Sequence, residues 1–148
     1  MNRCKWCNVN NPLYVEYHDY EWGILNLDEK YLFEMLILES FQAGLSWECV
    51  LNKRKYFKEA YDDFDIEKIV LYDDAKIEEL SNNKNIIRNR LKIKASINNA
   101  KIFMNIESEF GSFKNYLLKY FKEYPIKEVG KTTSSISDEL SKDLFKRG

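Results

Sequence analysis

Glycine, proline and long apolar runs are all scarce in this sequence. Five glycines and two prolines in 148 residues leave little material for hairpins and tight turns, which favours helices. No run of eighteen or more apolar residues exists, so there is no candidate for a membrane-spanning helix. The first residues also lack the apolar segment of a secretory signal. We therefore expect a mostly α-helical, cytoplasmic protein that does not contact a membrane.

Cysteine and net charge are also low. Three cysteines, an odd number, argue against a disulfide framework and for a reducing compartment. The net charge is −1, which excludes a strongly basic or strongly acidic protein. Hydrophobic residues make up 45% and charged residues 32%, as is typical of a globular chain. The length suits one domain, which we place at residues 1–148.

The charges are nevertheless segregated along the chain. Residues 59–79 hold nine acidic and two basic side chains, whereas residues 82–106 hold six basic side chains and no acidic one. A nearly neutral protein can thus present a local cationic face to a polyanion. The alternative is an ordinary solvated helix face.

Capping residues predict where the helices begin. We expect one helix after each of five capping residues and a last helix that begins at Ser137. Residues 13–27 are predicted to form an ordered, irregular loop. The five caps are Asp28, Ser46, Asp65, Asp73 and Ser112. A short helix, a turn at residues 83–87 and a longer helix from about Arg88 then form a helical hairpin.

This hairpin is a candidate phosphate-binding element. Unpaired backbone N–H groups at the start of the second helix favour an anion. We expect Ile86 and Ile87 to join the helices, and basic side chains to face outward. The predicted DNA contacts are Lys84, Asn85, Arg88, Arg90 and Lys94. The alternative is a surface αα-hairpin without function.

Glu39 is the candidate functional acid. It lies seven residues after Leu32 and three after Leu36, which predicts a place on the apolar stripe of its helix. A buried carboxylate is costly unless it is paired, and such groups cluster at functional sites. The alternative is a glutamate at the edge of the stripe that leans into solvent.

Aromatic residues with polar tips are frequent around this acid. A cavity walled by such rings, with one carboxylate, suits a flat, cationic heterocycle, because ring faces attract its charge and the acid accepts an exocyclic N–H. The rings in question are Trp6, Tyr14, Tyr17, Trp22 and Trp47. Plain core packing is the alternative.

Cys4, Cys7 and the single histidine, His18, raise the possibility of zinc. A structural site needs four ligands, and Cys49 is the one further cysteine. Two alternatives stay open: Cys7 and Cys49 are free thiols, and His18 pairs with Asp19. A zinc-knuckle interaction module is therefore a rival function.

Several blocks of this sequence resemble the DNA-3-methyladenine glycosylase I (Tag) family. They are YHDYEWG at 17–23, QAGLSW at 42–47, IIRNR at 86–90 and LSKDLFKRG at 140–148. The resemblance covers essentially the whole chain. It implies an all-α, helix-hairpin-helix glycosylase that flips 3-methyladenine out of alkylated double-stranded DNA, hydrolyses its N-glycosidic bond and releases the free base as product.

The resemblance also implies roles for individual residues. Glu39 would bind the flipped base, Tyr17 and Trp47 would sandwich or border it, and Tyr14, Trp22 and Trp6 would complete the pocket. Cys4 and His18 would be two ligands of a structural zinc, whereas Cys7 is not in the family's ligand set. We also expect a monomer.

Two departures from the family pattern affect these expectations. Family members continue past the last block into a segment with the other zinc ligands, but this chain ends at Gly148, so half of the ligand set is present. Asn85 stands where the family often has glycine, which Asn replaces with little strain. A truncated hairpin protein that binds DNA with weak or no excision is therefore the alternative function.

Overall fold

The fold is all-helical, as the composition predicts. A computed structural model describes residues 3–121 and 133–148, and within these ranges it contains helices and turns but no strand. The order is α1 (Pro12–Tyr20), α2 (Glu29–Gln42), α3 (Trp47–Leu51), α4 (Arg54–Ala60), a 3₁₀ turn (Asp62–Phe64), α5 (Ile66–Ile69), α6 (Asp74–Asn82), α7 (Arg90–Phe110), α8 (Phe113–Leu118) and α9 (Ser135–Arg147). No helix in this part of the chain is long and apolar enough to cross a membrane.

Local capping explains most helix starts. Each of the five predicted caps accepts a hydrogen bond from a backbone N–H in the first turn of its helix, which confirms the predictions. The last helix begins earlier than predicted, because Ser134 is its cap and the Ser137 hydroxyl accepts the backbone N–H of Ser134, which closes a capping box. Similarly, Asn89 caps α7, so this helix starts at Arg90.

The prediction of an irregular loop at residues 13–27 was wrong for its first part. Asn11 caps α1 and Pro12 occupies the first helical position, where its missing N–H costs nothing. The helix has little apolar periodicity because it does not lie on the main core. Its aromatic side chains Tyr14 and Tyr17 instead pack in a small separate cluster with Leu51 of α3.

Helices α2 and α7 form the centre of the main core. The predicted stripe of α2 is rotated in the structure, because the fully buried residues are Phe33, Ile37, Leu38 and Phe41, whereas Leu32 and Leu36 are only partly buried. On α7, Ile93, Ile97 and Ala100 are buried as predicted, but Phe103 replaces Met104 on this face. The C-terminal end of α2 and the first turn of α7 thereby lie next to each other.

Candidate functional site

The five predicted aromatic residues and Glu39 line one recess. Its volume is about 270 Å³, and it opens to the surface. The lining residues are Trp6, Tyr14, Tyr17, Trp22, Glu39, Gln42 and Trp47. The recess therefore brings together three segments: the N-terminal loop, α1 with its following turn, and the α2–α3 connection.

The α2–α3 connection places an acid and a ring side by side. Helix α2 ends at Gln42, and Gly44 then adopts a φ of 82°, a backbone conformation that residues other than glycine rarely adopt. Ser46 caps α3, whose first residue is Trp47. The reversal brings Trp47 back toward Glu39 on the preceding helix.

The rings form an outer and an inner group. Trp6 and Trp22 are 41% and 49% exposed and lie 5.1 Å apart, edge to face, at the mouth of the recess. Tyr17 is buried, and its ring centroid lies 5.4 Å from that of Trp47. The buried indole N–H of Trp47 has no hydrogen-bond partner among the described residues. The inner pair thus offers ring surface next to the acid.

Glu39 does not lie on the core face that its spacing predicts. It is exposed to the recess, and it is Glu34, five residues earlier, that is buried, with 5% of its surface exposed. Within residues 3–121 and 133–148, no side chain donates a hydrogen bond to the Glu39 carboxylate. Although more than a third of the residue is accessible, burial still raises the pKa of this carboxyl. The acid is thus an acceptor without an internal partner.

Gln42 is a lining residue that the sequence interpretation missed. It follows Glu39 by three residues, so it lies on the same face of α2, and this spacing was the available signal. Its Nε2 donates to the carbonyl of Leu45 at 2.8 Å. That bond braces the turn between α2 and α3.

The hairpin is formed by α6, the turn and α7. Ile86 is buried between the helices and Ile87 is partly buried, as predicted. The Asn89 side chain accepts the N–H groups of Leu91 and Lys92, which corrects the expectation that these groups are unpaired. The anion-binding capacity of this helix end is thereby reduced.

The cations of the hairpin divide into exposed and engaged ones. Lys84, Arg88 and Lys94 are exposed, as is Asn85. Arg90 is also exposed, but its Nη1 lies 2.5 Å from Glu78 of α6. Lys53 donates to the carbonyl of Asn85 at 3.0 Å, which fixes the turn against the start of α4.

The candidate zinc ligands Cys4 and His18 lie close together, and both ring nitrogens of His18 have hydrogen-bond partners. The backbone N–H of Cys4 donates to Nε2 of His18 at 3.2 Å, and Nδ1 of His18 lies 2.8 Å from Asp19. The hydrogen bonds from Arg3 and His18 lower the pKa of Asp19 to about 2. Cys7 is buried, with its Sγ 3.7 Å from the carbonyl of Tyr14.

No group of three or more histidine, cysteine and acidic residues in the described ranges has the geometry to hold a metal ion. With both nitrogens of His18 hydrogen-bonded, these residues do not form a zinc site on their own. The three cysteines are free thiols.

A cationic helical hairpin beside an aromatic recess with one carboxylate is the arrangement expected of a glycosylase that flips a base out of DNA. A model of the methyladenine glycosylase family matches residues 6–148. DNA-3-methyladenine glycosylase 1 of Escherichia coli (strain K12) is 39% identical over 155 residues, which cover all of this chain and 82% of the relative. The Haemophilus influenzae enzyme is 37% identical, over 99% of this chain and 82% of its own.

Solved structures agree with these sequence relatives. A crystal structure of 3-methyladenine DNA glycosylase I superimposes with a TM-score of 0.92 at 38% identity, covering 99% of this chain and 84% of that one. The Staphylococcus aureus enzyme, solved to explain 3-methyladenine recognition, gives 0.91 at 36% identity, covering all of this chain and 81% of that one. This chain belongs to the methyladenine glycosylase family, as the sequence blocks predict.

Proposed function

We propose that the protein is a DNA repair enzyme that flips 3-methyladenine out of alkylated double-stranded DNA and hydrolyses its N-glycosidic bond. The observation that carries this proposal is the recess itself, which is lined by five aromatic side chains and one carboxylate that has no hydrogen-bond partner among the described residues. Relatives named for this activity support it.

The chemistry follows from the charge of the lesion. Methylation at N3 makes the adenine cationic, so its bond to the sugar is weak and the departing base needs little activation. The faces of Tyr17 and Trp47 attract this charge, and Glu39 accepts the exocyclic N–H of the base. Neutral adenine stacks more weakly and is held less well.

Hydrolysis then exchanges one bond for another. The bond between the anomeric carbon and the base breaks, and its electron pair leaves with the base, which becomes neutral. Water forms the new bond to the anomeric carbon and loses a proton to the solvent. No general base is assigned to this step; the protein's contribution is to bind and orient the cationic base through Glu39 and the rings.

The hairpin holds the DNA backbone. Three exposed cations contact phosphates without reading the base sequence: Lys84, Arg88 and Lys94. Asn85 lies beside Lys84 in the turn between α6 and α7. Flipping a base costs a few kcal/mol, less for a damaged base, and the phosphate contacts help offset it. Arg90 contributes less than the other cations because Glu78 neutralises it.

Three further expectations belong to this proposal. We expect a monomer, a cytoplasmic location where the chromosome is accessible, and a structural zinc held in part by Cys4 and His18. Zinc binding requires that Nε2 of His18 give up its hydrogen bond from the Cys4 backbone N–H and bind the metal instead. It also requires ligands in addition to Cys4 and His18. No step above depends on the metal.

Release of free base from alkylated DNA tests the proposed function. The wild-type chain should release 3-methyladenine, and Glu39→Gln should reduce the single-turnover rate at least tenfold, because the variant removes the negative charge that binds the cationic base. Glu59→Gln is the matched control, since Glu59 is an exposed residue of α4 outside the recess. DNA binding by the wild-type chain without any release would instead support a hairpin protein that has no excision activity.

A further inference from the structure

Helix α1 supplies two walls of the recess, yet it lies outside the main core. Within the described part of the chain, the main apolar core contains no residue of α1. Tyr14 and Tyr17 pack instead in the small cluster with Leu51, against Met35 and Trp47, and the Tyr14 ring also contacts Trp6. Apolar packing alone therefore leaves the position of this helix weakly determined relative to α2, which carries Glu39.

A partly buried arginine joins the two helices at this point. Arg54 of α4 donates from Nη1 to both carboxylate oxygens of Glu21, at 2.7 and 2.8 Å. Its Nε donates to Oε1 of Glu34 on α2 at 2.7 Å. We call Arg54, Glu21 and Glu34 the Arg54 clamp.

The clamp is largely shielded from water. The side chains of Glu34 and Arg54 are only 6% and 16% exposed. Burial alone would lower the pKa of Arg54, but its hydrogen bonds to Glu34 and Glu21 raise it above its ordinary value. Two further groups support the carboxylates: Lys58 Nζ lies 3.3 Å from Glu34, and the Tyr31 hydroxyl donates to Glu21 at 3.3 Å. Charge-assisted bonds of this kind have a fixed geometry, which suits them to positioning.

Glu21 is directly connected to the rings of the recess. It follows α1, and the backbone N–H groups of Glu21 and Trp22 both donate to the carbonyl of Tyr17, at 2.9 and 2.8 Å. Fixing Glu21 therefore fixes the C-terminal end of α1, which carries Tyr17, and the turn that carries Trp22. At the other end of the clamp, Glu34 belongs to the same helix as Glu39.

We propose that the Arg54 clamp is a positioning element that holds the aromatic wall of α1 at working distance from Glu39. Glu21 and Arg54 act through Tyr17 and Trp22. This inference depends on the proposed function, because it concerns the same recess. A displacement of about 1 Å at a reacting site is enough to cost a large part of the rate.

Glu21→Gln is the cleanest test of the clamp. The substitution removes one charge, but it leaves Arg54 paired with Glu34, so no buried charge is left alone. The matched control is Asp63→Asn, which neutralises a carboxylate in an exposed ion pair with Lys30, away from the recess. Both variants are compared with the wild-type chain well below their melting temperatures.

The expected result is a split between base binding and DNA binding. Glu21→Gln should weaken the affinity for free 3-methyladenine and the single-turnover excision rate by about tenfold, while the affinity for undamaged DNA stays at the wild-type value. The reason is that, among the described residues, no hydrogen bond or ion pair joins the hairpin to the clamp. Asp63→Asn should match the wild type in all three. Wild-type base affinity and excision in Glu21→Gln would overturn the proposal.

A second variant covers the case in which Glu21→Gln does not fold. Arg54→Lys keeps a positive charge for Glu34 but cannot reach both carboxylates in the forked geometry. It should show the same loss of base affinity, and wild-type affinity would count against the clamp. If the wild-type chain itself fails to excise the base, the proposed function fails, whereas an active wild type with equally active variants rejects the clamp alone.

Discussion

At the scale of the residue, two glutamates of α2 have opposite environments. Glu34 is buried but bonded to Arg54 and lies near Lys58, so its charge is compensated. Glu39 lies in the recess and has no hydrogen-bond or ion-pair partner in the part of the chain that the structure describes. The apolar spacing predicts the wrong face of α2 for Glu39. The frequency of aromatic residues in the neighbouring sequence was the signal that correctly indicated a recess at this residue. Partners such as Arg54 are distant in sequence and follow no period, so they could not be predicted.

Glu39 should cost the protein stability at neutral pH. Burial raises the pKa of its carboxyl in the folded state, so the folded protein holds the proton more tightly than the unfolded chain does. The stability that the protonated Glu39 carboxyl contributes is therefore complete at pH values below the pKa of this group in the unfolded chain. It is lost as the pH rises through the higher pKa of the group in the folded protein. Glu39→Gln, which never ionises, should melt at a higher temperature than the wild type at pH 7.

Thermal unfolding between pH 7 and pH 4 checks this expectation. The difference in melting temperature should narrow as the pH falls through the raised pKa, because the wild-type carboxyl then becomes neutral as well. A variant that melts below the wild type at pH 7 would mean that the ionised carboxylate is stabilised in the folded protein.

At the scale of the element, local signals placed five helix starts correctly but missed the caps Asn11, Asn89 and Ser134. All five predicted caps accept the expected hydrogen bond. Helix α1 was missed because its aromatic side chains serve the recess and a small cluster rather than one continuous apolar face. Helix α1 therefore lacks the apolar periodicity by which helices are recognised.

Lys92 connects the hairpin to the recess. From the first turn of α7, its Nζ donates to the carbonyls of Phe41 and Ala43, at 2.9 and 2.5 Å. These carbonyls end α2, where a cation is favoured. Lys92→Met should lower the free energy of unfolding by about 1–2 kcal/mol, the cost of losing charged hydrogen bonds.

Urea unfolding measures this loss, and Lys94→Met is the control, because Lys94 is exposed on the same helix. The Lys94 variant should stay within about 0.5 kcal/mol of the wild type. Equal unfolding free energies for the two variants would contradict the capping role of Lys92.

At the scale of the whole molecule, the segregated charges meet at the hairpin. The acidic and basic segments are joined there by Glu78 and Arg90. The sequence predicts the hairpin and the excess of cations, but not which cations the fold uses internally. Lys92 is one of these and Arg90 pairs with Glu78, which leaves Lys84, Arg88 and Lys94 exposed at the hairpin and Lys101 exposed further along α7. Family blocks distributed over the chain predicted the fold and the recess better than charge or periodicity did.

The most direct test of base recognition is a calorimetric titration of the wild-type chain and Glu39→Gln with free 3-methyladenine and with adenine. The wild type should bind 3-methyladenine in preference to adenine, and the variant should lose most of this selective binding while keeping its helical circular dichroism spectrum. Unchanged affinity for 3-methyladenine in a folded Glu39→Gln variant would contradict the role of this carboxylate.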